Sequence, residues 1–411
     1  MEKFVSLPRF LIHKYMKNLY LLALATTLVF AGCKKDDPDS PPQPEPEPEL
    51  ELTVEQTDYT LGAIEERTAT VAFTAPAEWT LSVVYDETET DADTEWLTVT
   101  PASGAAGKLT VELAATPKIT EESRTAYVDI ACGKQSVRLT VTQTGASDKT
   151  NFSALFAPGF AQVLQEKGHI SDAEKISLED MAKIAEVTEL DVSRSSLTSL
   201  QGIEYFESLT ELRCYFNSLE SLDVSQNTAL TYLDCAYNKL TSLDVSNNTK
   251  LESLHCYSNQ LTTLDVSGCT ALAWLYCSSN QLTSLDVSGC AALTVLDCLS
   301  NQLTSLDVSG CAALTVLDCY SNQLTSLDVS NNTELRSLHC SSNQLKELDI
   351  SKNTALTELY CEDNPGDGES VFPVTVWGDN ATKPESLYIP YTSWTYEDKT
   401  IAIDYQTATA E

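Results

Sequence analysis

A 21-residue unit recurs through the second half of the chain, and it restricts the fold more than any other feature. The unit LxxLxCxxNxLxxLDVSxxxx begins at Leu209 and returns at constant spacing as far as Leu356, and an imperfect copy occupies residues 187–208. A single unit cannot bury its leucines alone, so neighbouring units must stack and cover one another. The sequence therefore predicts a solenoid over residues 187–370, in which each copy adds one strand to a parallel sheet.

The letters that repeat also predict which side chains lie inside. In LxxLxC, strand alternation points the second Leu and the Cys inward and the residue between them outward. Cysteine is a small apolar residue that suits a narrow interior position. Stacked strands hold neighbouring thiols farther apart than the ~3.8 Å between Cβ atoms that a disulfide prefers, so we expect free, buried thiols. The asparagine of each unit is expected to bond backbone groups at the bend.

The unit is identified as a leucine-rich repeat, and its length and strand cysteine resemble the repeats of bacterial internalins. The segment GIEYFESLTEL at the entry to the first full unit belongs to the same resemblance. We expect a helical cap over residues 147–186, where two segments have helical apolar spacing and Ser177 precedes Asp180 as in a capping box. Residues 371–411 are expected to form strands that close the other end.

Differences between the copies predict which face of the solenoid binds a ligand. The LTSLDVS half is almost constant, whereas the outward strand positions carry aromatic residues, aspartate and histidine. Exposed aromatics in this setting indicate recognition on the concave face, and ordinary strand-forming preference is the alternative explanation. The candidate ligand-binding residues are Tyr215, Phe216, Tyr232, Tyr237, His255, Tyr257, Trp274, Tyr276, Tyr320, His339 and Tyr360.

Two patterns invite comparison with metal sites. Histidine stands beside cysteine at His255 and at His339, but adjacent strand residues point to opposite faces, so one ion cannot take both. The aspartates of LDVS could bind calcium, or they could stay exposed and accept backbone N–H bonds, since neighbours ~5 Å apart in water repel by only about 1 kcal/mol. We predict no metal and no cofactor.

Residues 51–146 have a different pattern, with short runs such as TATVAFTA and WTLSVVY that alternate with period two. Such runs between turn residues predict an all-β, immunoglobulin-like sandwich. Trp79 in AEWTLSV, Trp96 in EWLTVTPASGAAG, Arg124 before AYVDI, and the closing VTQTG resemble the BACON domain. The family name implies carbohydrate binding, and many such modules look like spacers. We expect both tryptophans to fill the core.

The first fifty residues have the features of an exported lipoprotein. From Met16, which looks a better start than Met1, a lysine, a short apolar run and small residues lead to Cys33, which predicts a signal peptide over 1–32. The ending FAGC resembles a bacterial lipobox and implies lipidation of Cys33. The KKDD that follows resembles the export tag of Bacteroidetes lipoproteins and implies outward display on the outer membrane. A plain signal peptide and a solvated charge run are the alternatives. The Pro/Glu-rich segment within 33–50 is expected to be an extended tether.

Composition and the motifs that do not occur reduce the number of functions to consider. With 60 acidic and 25 basic residues the net charge is −35, which excludes a partner that needs a basic face, such as nucleic acid. No HExxH, GxSxG or phosphate-loop motif occurs, so we expect no enzymatic activity. Three hypotheses remain: a surface protein whose repeats bind a host or bacterial protein, a glycan-binding lipoprotein, and a spacer. The first is our prediction, with membrane contact through the lipid anchor only.

Overall fold

The computed structural model describes residues 51–85, 95–377 and 381–407. The predicted signal peptide, the lipidation site Cys33 and the tether lie outside the described residues. Within those ranges, no helix is both long and apolar enough to cross a membrane. The described chain runs from a β-sandwich through a helical cap and a parallel repeat sheet to a closing β-sheet. This order confirms the predicted fold class, a sandwich followed by a capped solenoid.

The sandwich is built from two sheets in the part of the chain that the structure describes. The strands are β1 (Thr53–Val54), β2 (Asp58–Leu61), β3 (Thr68–Ala75), β4 (Trp79–Tyr85), β5 (Leu97–Thr100), β6 (Ser103–Gly104), β7 (Gly107–Ala115), β8 (Arg124–Cys132) and β9 (Gln135–Gln143). Their orders in the two sheets are β1-β3-β7-β5 and β2-β9-β8-β4-β6, and neighbours are antiparallel except for β2, which runs parallel to β9.

Both tryptophans lie in the sandwich core, as predicted. Trp79 and Trp96 are each only 2% exposed. The ring of Trp79 meets Phe73 edge-on at 4.9 Å, and the guanidinium of Arg124 lies 4.7 Å from the centre of the Trp96 ring. A side chain added at Gly104 would approach the Trp79 ring to 2.8 Å, so this glycine allows the close packing. Neither tryptophan is free to stack on a sugar.

The helical cap contains helices α1 (Pro158–Glu166) and α2 (Leu178–Ala185). Helix α2 begins with the predicted capping box, because the Ser177 hydroxyl accepts from the Asp180 N–H while the Asp180 carboxylate accepts from the Ser177 N–H. That carboxylate is buried and also accepts bonds from the N–H and hydroxyl of Ser171, at 3.1 and 3.0 Å. It therefore holds the loop before the helix as well as the helix terminus.

The sandwich and the cap share apolar contacts. Ala63, Ile64 and Ala146 of the sandwich region belong to the same buried cluster as Phe152 and Phe156 of the cap, and that cluster continues into the repeat core. Burial of apolar surface at this junction favours a fixed connection over a flexible linker.

The repeat sheet contains nine parallel strands among the described residues, and each pairs with the next copy in register. Among the described residues, the LDVS side of the solenoid forms a strand only near the end of the stack, where Leu348–Asp349 is strand β18. The repeat-sheet strands are β10 (Glu189–Asp191), β11 (Glu211–Arg213), β12 (Tyr232–Asp234), β13 (Ser253–His255), β14 (Trp274–Tyr276), β15 (Val295–Asp297), β16 (Val316–Asp318), β17 (Ser337–His339) and β19 (Glu358–Tyr360).

The interior of the solenoid is as predicted. The second Leu and the Cys of each strand segment are completely buried, as in Leu254 and Cys256. All the cysteines in the described residues are free and buried, including Cys132 of the sandwich. Cysteine therefore fills one small interior position in each turn of the core.

The first asparagine ladder bonds the backbone at the bend, as predicted. Asn238 donates to the carbonyls of Cys214 and Cys235 at 3.0 Å each, and its Oδ1 accepts from the Leu219 N–H at 3.0 Å. Equivalent bonds recur along the stack, and the ladder consists of Asn217, Asn238, Asn259, Asn280, Asn301, Asn322, Asn343 and Asn364.

A second column of stacked positions, which holds asparagine in some copies and cysteine in others, forms the second ladder and makes fewer hydrogen bonds. Asn248 donates to the carbonyls of Val224 and Asn227 at 3.0 Å each, but its buried Oδ1 has no hydrogen-bond partner in the described structure. Cys290 occupies the same position in another copy and places its sulfur 3.6 Å from the Val266 carbonyl. Cysteine is tolerated here because the position needs only a weak donor.

A small mixed sheet closes the carboxyl-terminal end. Its order is β18-β20-β22-β21, with β20 (Val371–Val376), β21 (Ser393–Tyr396) and β22 (Lys399–Thr407). Phe372 and Trp394 are buried and continue the leucine core. The indole N–H of Trp394 donates to the Asn364 carbonyl at 2.8 Å, which fixes this cap to the last repeat.

Candidate functional site

The outer side of the repeat sheet, here called the strand face, carries the candidate ligand-binding residues. They lie in the strands or directly after them. Trp274, Phe216, Tyr237 and Tyr320 are the most exposed, at 43, 41, 41 and 36%. The remaining candidates are partly buried against one another. The face is therefore a packed aromatic surface and not a row of independent side chains.

The first part of this surface is the amino-terminal cluster, a continuous set of ring contacts. Phe216 and Tyr237 stack with their centres 4.0 Å apart and their planes 7° from parallel. Tyr237 contacts Tyr257 at 5.2 Å, and His255 contacts Tyr276 at 4.6 Å. The cluster consists of Tyr215, Phe216, Tyr232, Tyr237, His255, Tyr257 and Tyr276.

Two members of the amino-terminal cluster have an unusual backbone. Phe216 and Tyr237 have φ of 53° and 52°, in the left-handed region, where serine stands in equivalent positions such as Ser258 and Ser279. A bulky residue in this region costs on the order of 1–3 kcal/mol. The solenoid imposes the turn on every copy, so these two aromatics add exposed ring area at a position where a small residue suffices for folding.

Arginines cover the edge of the amino-terminal cluster. The guanidinium of Arg194 lies 4.2 Å from the centre of the Phe216 ring, and that of Arg213 lies 4.8 Å from Tyr232. Arg213 also pairs with Glu211 at 2.7 Å. In the sheet register Arg213 stands between Asp191 and Asp234. Cations of the chain itself therefore balance the carboxylates at this end.

One residue differs from expectation. Strand alternation predicts that Asp234 points outward into solvent, but it is only 9% exposed because its neighbours in the sheet are the large side chains of Arg213 and His255. Burial raises the pKa of Asp234, and a hydrogen bond from the Ala236 N–H opposes that effect. Burial lowers the pKa of His255, so this ring is neutral at neutral pH and shares a 3.0 Å hydrogen bond with the Ser253 hydroxyl.

A second group of rings, the carboxyl-terminal cluster, lies at the other end and consists of Tyr320, His339, Tyr360 and Tyr388. Successive ring centres are 4.9, 5.0 and 6.5 Å apart. Tyr388 comes from the closing region, where its N–H donates to the Thr357 carbonyl at 2.8 Å and its carbonyl accepts from the Leu359 N–H at 3.0 Å. It thereby extends the repeat sheet by one residue.

Sequence reasoning missed Tyr388 and its exposed neighbour Tyr391. They are 57 and 55% exposed, more than any predicted candidate. The segment ESLYIP had the alternation of a strand, but nothing in the repeat pattern indicated that it would pair beside Glu358. The predicted stripe is therefore two clusters, and the second ends in the carboxyl-terminal cap.

Carboxylates occupy the centre, between the two clusters. Asp297 and Asp318 are register neighbours, with Tyr276 on one side and His339 on the other. Asp297 accepts bonds from the Ser278 hydroxyl and the Leu299 N–H, both at 3.2 Å. Asp318 lies 3.3 Å from the His339 ring nitrogen. Burial, and then the negative charge of Asp318, raise the pKa of Asp297.

The aspartates of LDVS have a local role on another side of the solenoid. Asp265 accepts from the Ser267 N–H at 2.9 Å and from its hydroxyl at 2.7 Å, and these bonds lower the pKa of the carboxyl. The predicted turn bonds are thus confirmed. Among the described residues there is no group of three or more His, Cys, Asp or Glu side chains placed to hold a metal ion.

The thiols of the described residues offer no reactive group at the surface. Burial raises the pKa of Cys256 and of Cys298 well above the ordinary thiol value, so both stay protonated at neutral pH. A buried, protonated thiol is a poor nucleophile and a poor metal ligand. The chemistry available on the strand face is stacking, apolar contact and charge pairing.

Comparison with known proteins agrees with the two architectures. Residues 51–146 match a family model described as "Viral BACON domain", and residues 228–268 match one described as "Leucine Rich repeats (2 copies)". No curated protein matches the chain.

Solved structures are also similar to parts of the chain. The functional domain of InlJ from Listeria monocytogenes, which includes a cysteine ladder, is 33% identical over 63% of this chain, with a TM-score of 0.47. The match spans 62% of that structure's chain, less than two thirds of it. Internalin C2 from Listeria monocytogenes is 22% identical over 52% of this chain and 96% of its own, with a TM-score of 0.45.

The two family models match in the same order as the two β architectures, and the strands, ladders and caps described above agree with them. The chain contains a BACON domain followed by a leucine-rich-repeat solenoid.

Proposed function

We propose that the chain is a non-enzymatic recognition protein that binds a protein partner through the strand face. The observation that carries this proposal is the placement of exposed aromatics, four of them more than a third exposed, on the face whose outward strand positions vary between the copies. Aromatic residues are enriched among the few that dominate protein interfaces. The nearly constant LTSLDVS side offers no comparable set.

Retained aromatics at strained positions support the same proposal. Phe216 and Tyr237 keep large rings where other copies have serine at the same left-handed φ. A side chain that folding does not require, on an exposed surface, is best explained by binding. The glycan alternative has less support, because Trp79 and Trp96 of the BACON domain are buried.

The test replaces exposed rings with serine, the residue that other copies carry at the equivalent positions. The triple variant carries Phe216→Ser, Tyr237→Ser and Trp274→Ser. Ser258 stands at the position equivalent to the first two, and Ser253 at the position equivalent to the third. We expect the triple variant to stay folded, because serine occupies the equivalent positions of other copies and the leucine core is untouched. Partners recovered by crosslinking to the full chain should be lost from the variant.

A matched control changes three exposed threonines of the constant side to alanine: Thr241, Thr262 and Thr283. Loss of the partner from the control as well, or its retention by the triple variant, would contradict binding through the strand face. A glycan array is run in parallel with the same proteins. A glycan signal that disappears only in the triple variant would replace the protein partner with the glycan alternative.

We also propose that Cys33 is lipidated and that the protein faces the cell exterior on the outer membrane. The support is the sequence FAGC followed by KKDD. Protease added to intact cells should remove the protein, and Cys33→Ser should release it from the membrane fraction. Protection of the wild-type protein until the cells are lysed would contradict outward display.

A further inference from the structure

The centre of the strand face differs from its amino-terminal end in charge balance. At the amino-terminal end, Arg213 stands between Asp191 and Asp234, pairs with Glu211 at 2.7 Å and covers the Tyr232 ring at 4.8 Å. The chain thus provides one guanidinium for a group of carboxylates beside an aromatic ring.

The centre also places carboxylates beside tyrosine, but none of its register positions carries an arginine. Asp297 and Asp318 are adjacent in the sheet, Tyr276 is the register neighbour of Asp297, and Tyr320 follows Asp318 by two residues. Among the described residues, no lysine or arginine forms an ion pair with either carboxylate. Asp318 accepts a hydrogen bond from the Tyr320 N–H at 3.0 Å and lies 3.3 Å from the His339 ring nitrogen. Asp297 has two neutral hydrogen-bond donors, the Ser278 hydroxyl and the Leu299 N–H.

We propose that the protein partner presents an arginine, flanked by apolar residues, that inserts between Asp297 and Asp318 at the centre of the strand face. This inference rests on the proposed function and names the chemistry of its partner. The two aromatic clusters on either side would contact the flanking apolar residues, and the central carboxylates would select the cation.

Charge complementarity favours this occupant over an acidic or neutral one. A carboxylate pair without a cation repels itself, and the raised pKa of Asp297 reflects burial together with that repulsion. An incoming cation relieves the repulsion. Across the whole chain, 60 acidic residues against 25 basic ones also favour association with basic partners.

Arginine suits the site better than lysine. Its planar guanidinium can pair with two carboxylate oxygens and lie flat on a tyrosine ring at the same time. Tyr276 neighbours Asp297 in the sheet register, and the Tyr320 ring stacks at 4.9 Å on His339, which lies beside Asp318. The positions of Arg213 and Arg194 over their rings show that this fold accommodates such stacking.

The test uses a displayed library of random 15-residue peptides as the probe and the full chain as the bait. We expect the selected peptides to be enriched in arginine beside aromatic or aliphatic residues. The best peptide is then synthesised with arginine, lysine or the neutral isostere citrulline. Citrulline should weaken binding to the wild-type chain about tenfold, the effect of one charge-assisted contact.

Variants locate the contact. Asp297→Asn with Asp318→Asn should weaken the arginine peptide about as much as citrulline does, and should remove the difference between arginine and citrulline. The control, Asp265→Asn with Asp286→Asn, makes the same charge change at register neighbours on the LDVS side and should leave binding unchanged.

Each other outcome counts against the proposal. Selected peptides without excess arginine, or an arginine preference that the central double variant keeps, would overturn the arginine inference. If such peptides still require Phe216, Tyr237 and Trp274, binding through the strand face stands and only the arginine contact is wrong. If no peptide is enriched, or if enrichment survives the aromatic triple variant, peptide recognition by the strand face is itself wrong.

Discussion

Asn280 and Asn248 belong to the two asparagine ladders, and the same substitution should have unequal effects on them. Asn280 donates to the carbonyls of Cys256 and Cys277 at 3.1 and 3.0 Å, and its Oδ1 accepts from the Leu261 N–H at 3.0 Å. Asn248 makes two donor bonds, and its Oδ1 has no partner in the described structure. The perturbation is Asn→Cys at each position.

The difference follows from which backbone groups lose their partners. In Asn280→Cys, the carbonyl of Cys256 keeps a bond from Asn259, but the buried Leu261 N–H loses its acceptor. An unsatisfied buried N–H and the lost amide bonds should together cost about 3 kcal/mol. In Asn248→Cys no backbone N–H is orphaned and an unpaired oxygen is removed, so the cost should be about 1 kcal/mol.

The assay is urea unfolding of the full chain, followed by circular dichroism, together with hydrogen exchange at Leu261. Asn280→Cys should lower the unfolding midpoint more than Asn248→Cys and should speed exchange of the Leu261 amide. The natural copies agree with this ranking, because cysteine replaces asparagine at 269, 290 and 311 in the second ladder and at no position of the first. Equal shifts for the two variants would refute the argument.

Two further predictions concern the core and the cap. Iodoacetamide should label almost none of the repeat cysteines in native protein and all of them after denaturation without reductant; disulfide-linked peptides in a digest would contradict this. Although burial acts in the opposite direction, hydrogen bonds from Ser177 and Ser171 lower the pKa of Asp180. Its stabilisation is therefore present above the unfolded pKa of about 4 and is lost as pH falls through the lower folded value. Asp180→Ala should reduce the melting temperature at pH 7, and the reduction should shrink progressively as the pH falls below about 4. A reduction that stays constant over this range would contradict the assignment.

The repeats and their interior could be predicted from the sequence because they depend on local periodicity. A 21-residue spacing requires in-register stacking, and alternation along LxxLxC then directs Leu254 and Cys256 inward. The capping box of Ser177 and Asp180 is equally local, since its two partners are three residues apart. In each case the interacting groups are separated by a fixed and short distance along the chain or along the stack.

The candidate surface depended on the tertiary structure. The sequence by itself determined that the outward strand positions vary and that they carry aromatics. The 21-residue period also makes Phe216 a neighbour of Tyr237, and Asp297 a neighbour of Asp318, because each pair is one copy apart. Only the fold decided that the rings of Phe216 and Tyr237 lie nearly parallel, that Asp234 is buried, and that Tyr388 joins the sheet from outside the repeats. Ring orientation and burial depend on the side chains that surround each position, and Tyr388 belongs to a segment with no periodic relation to the stack, so the path of the chain in three dimensions sets them.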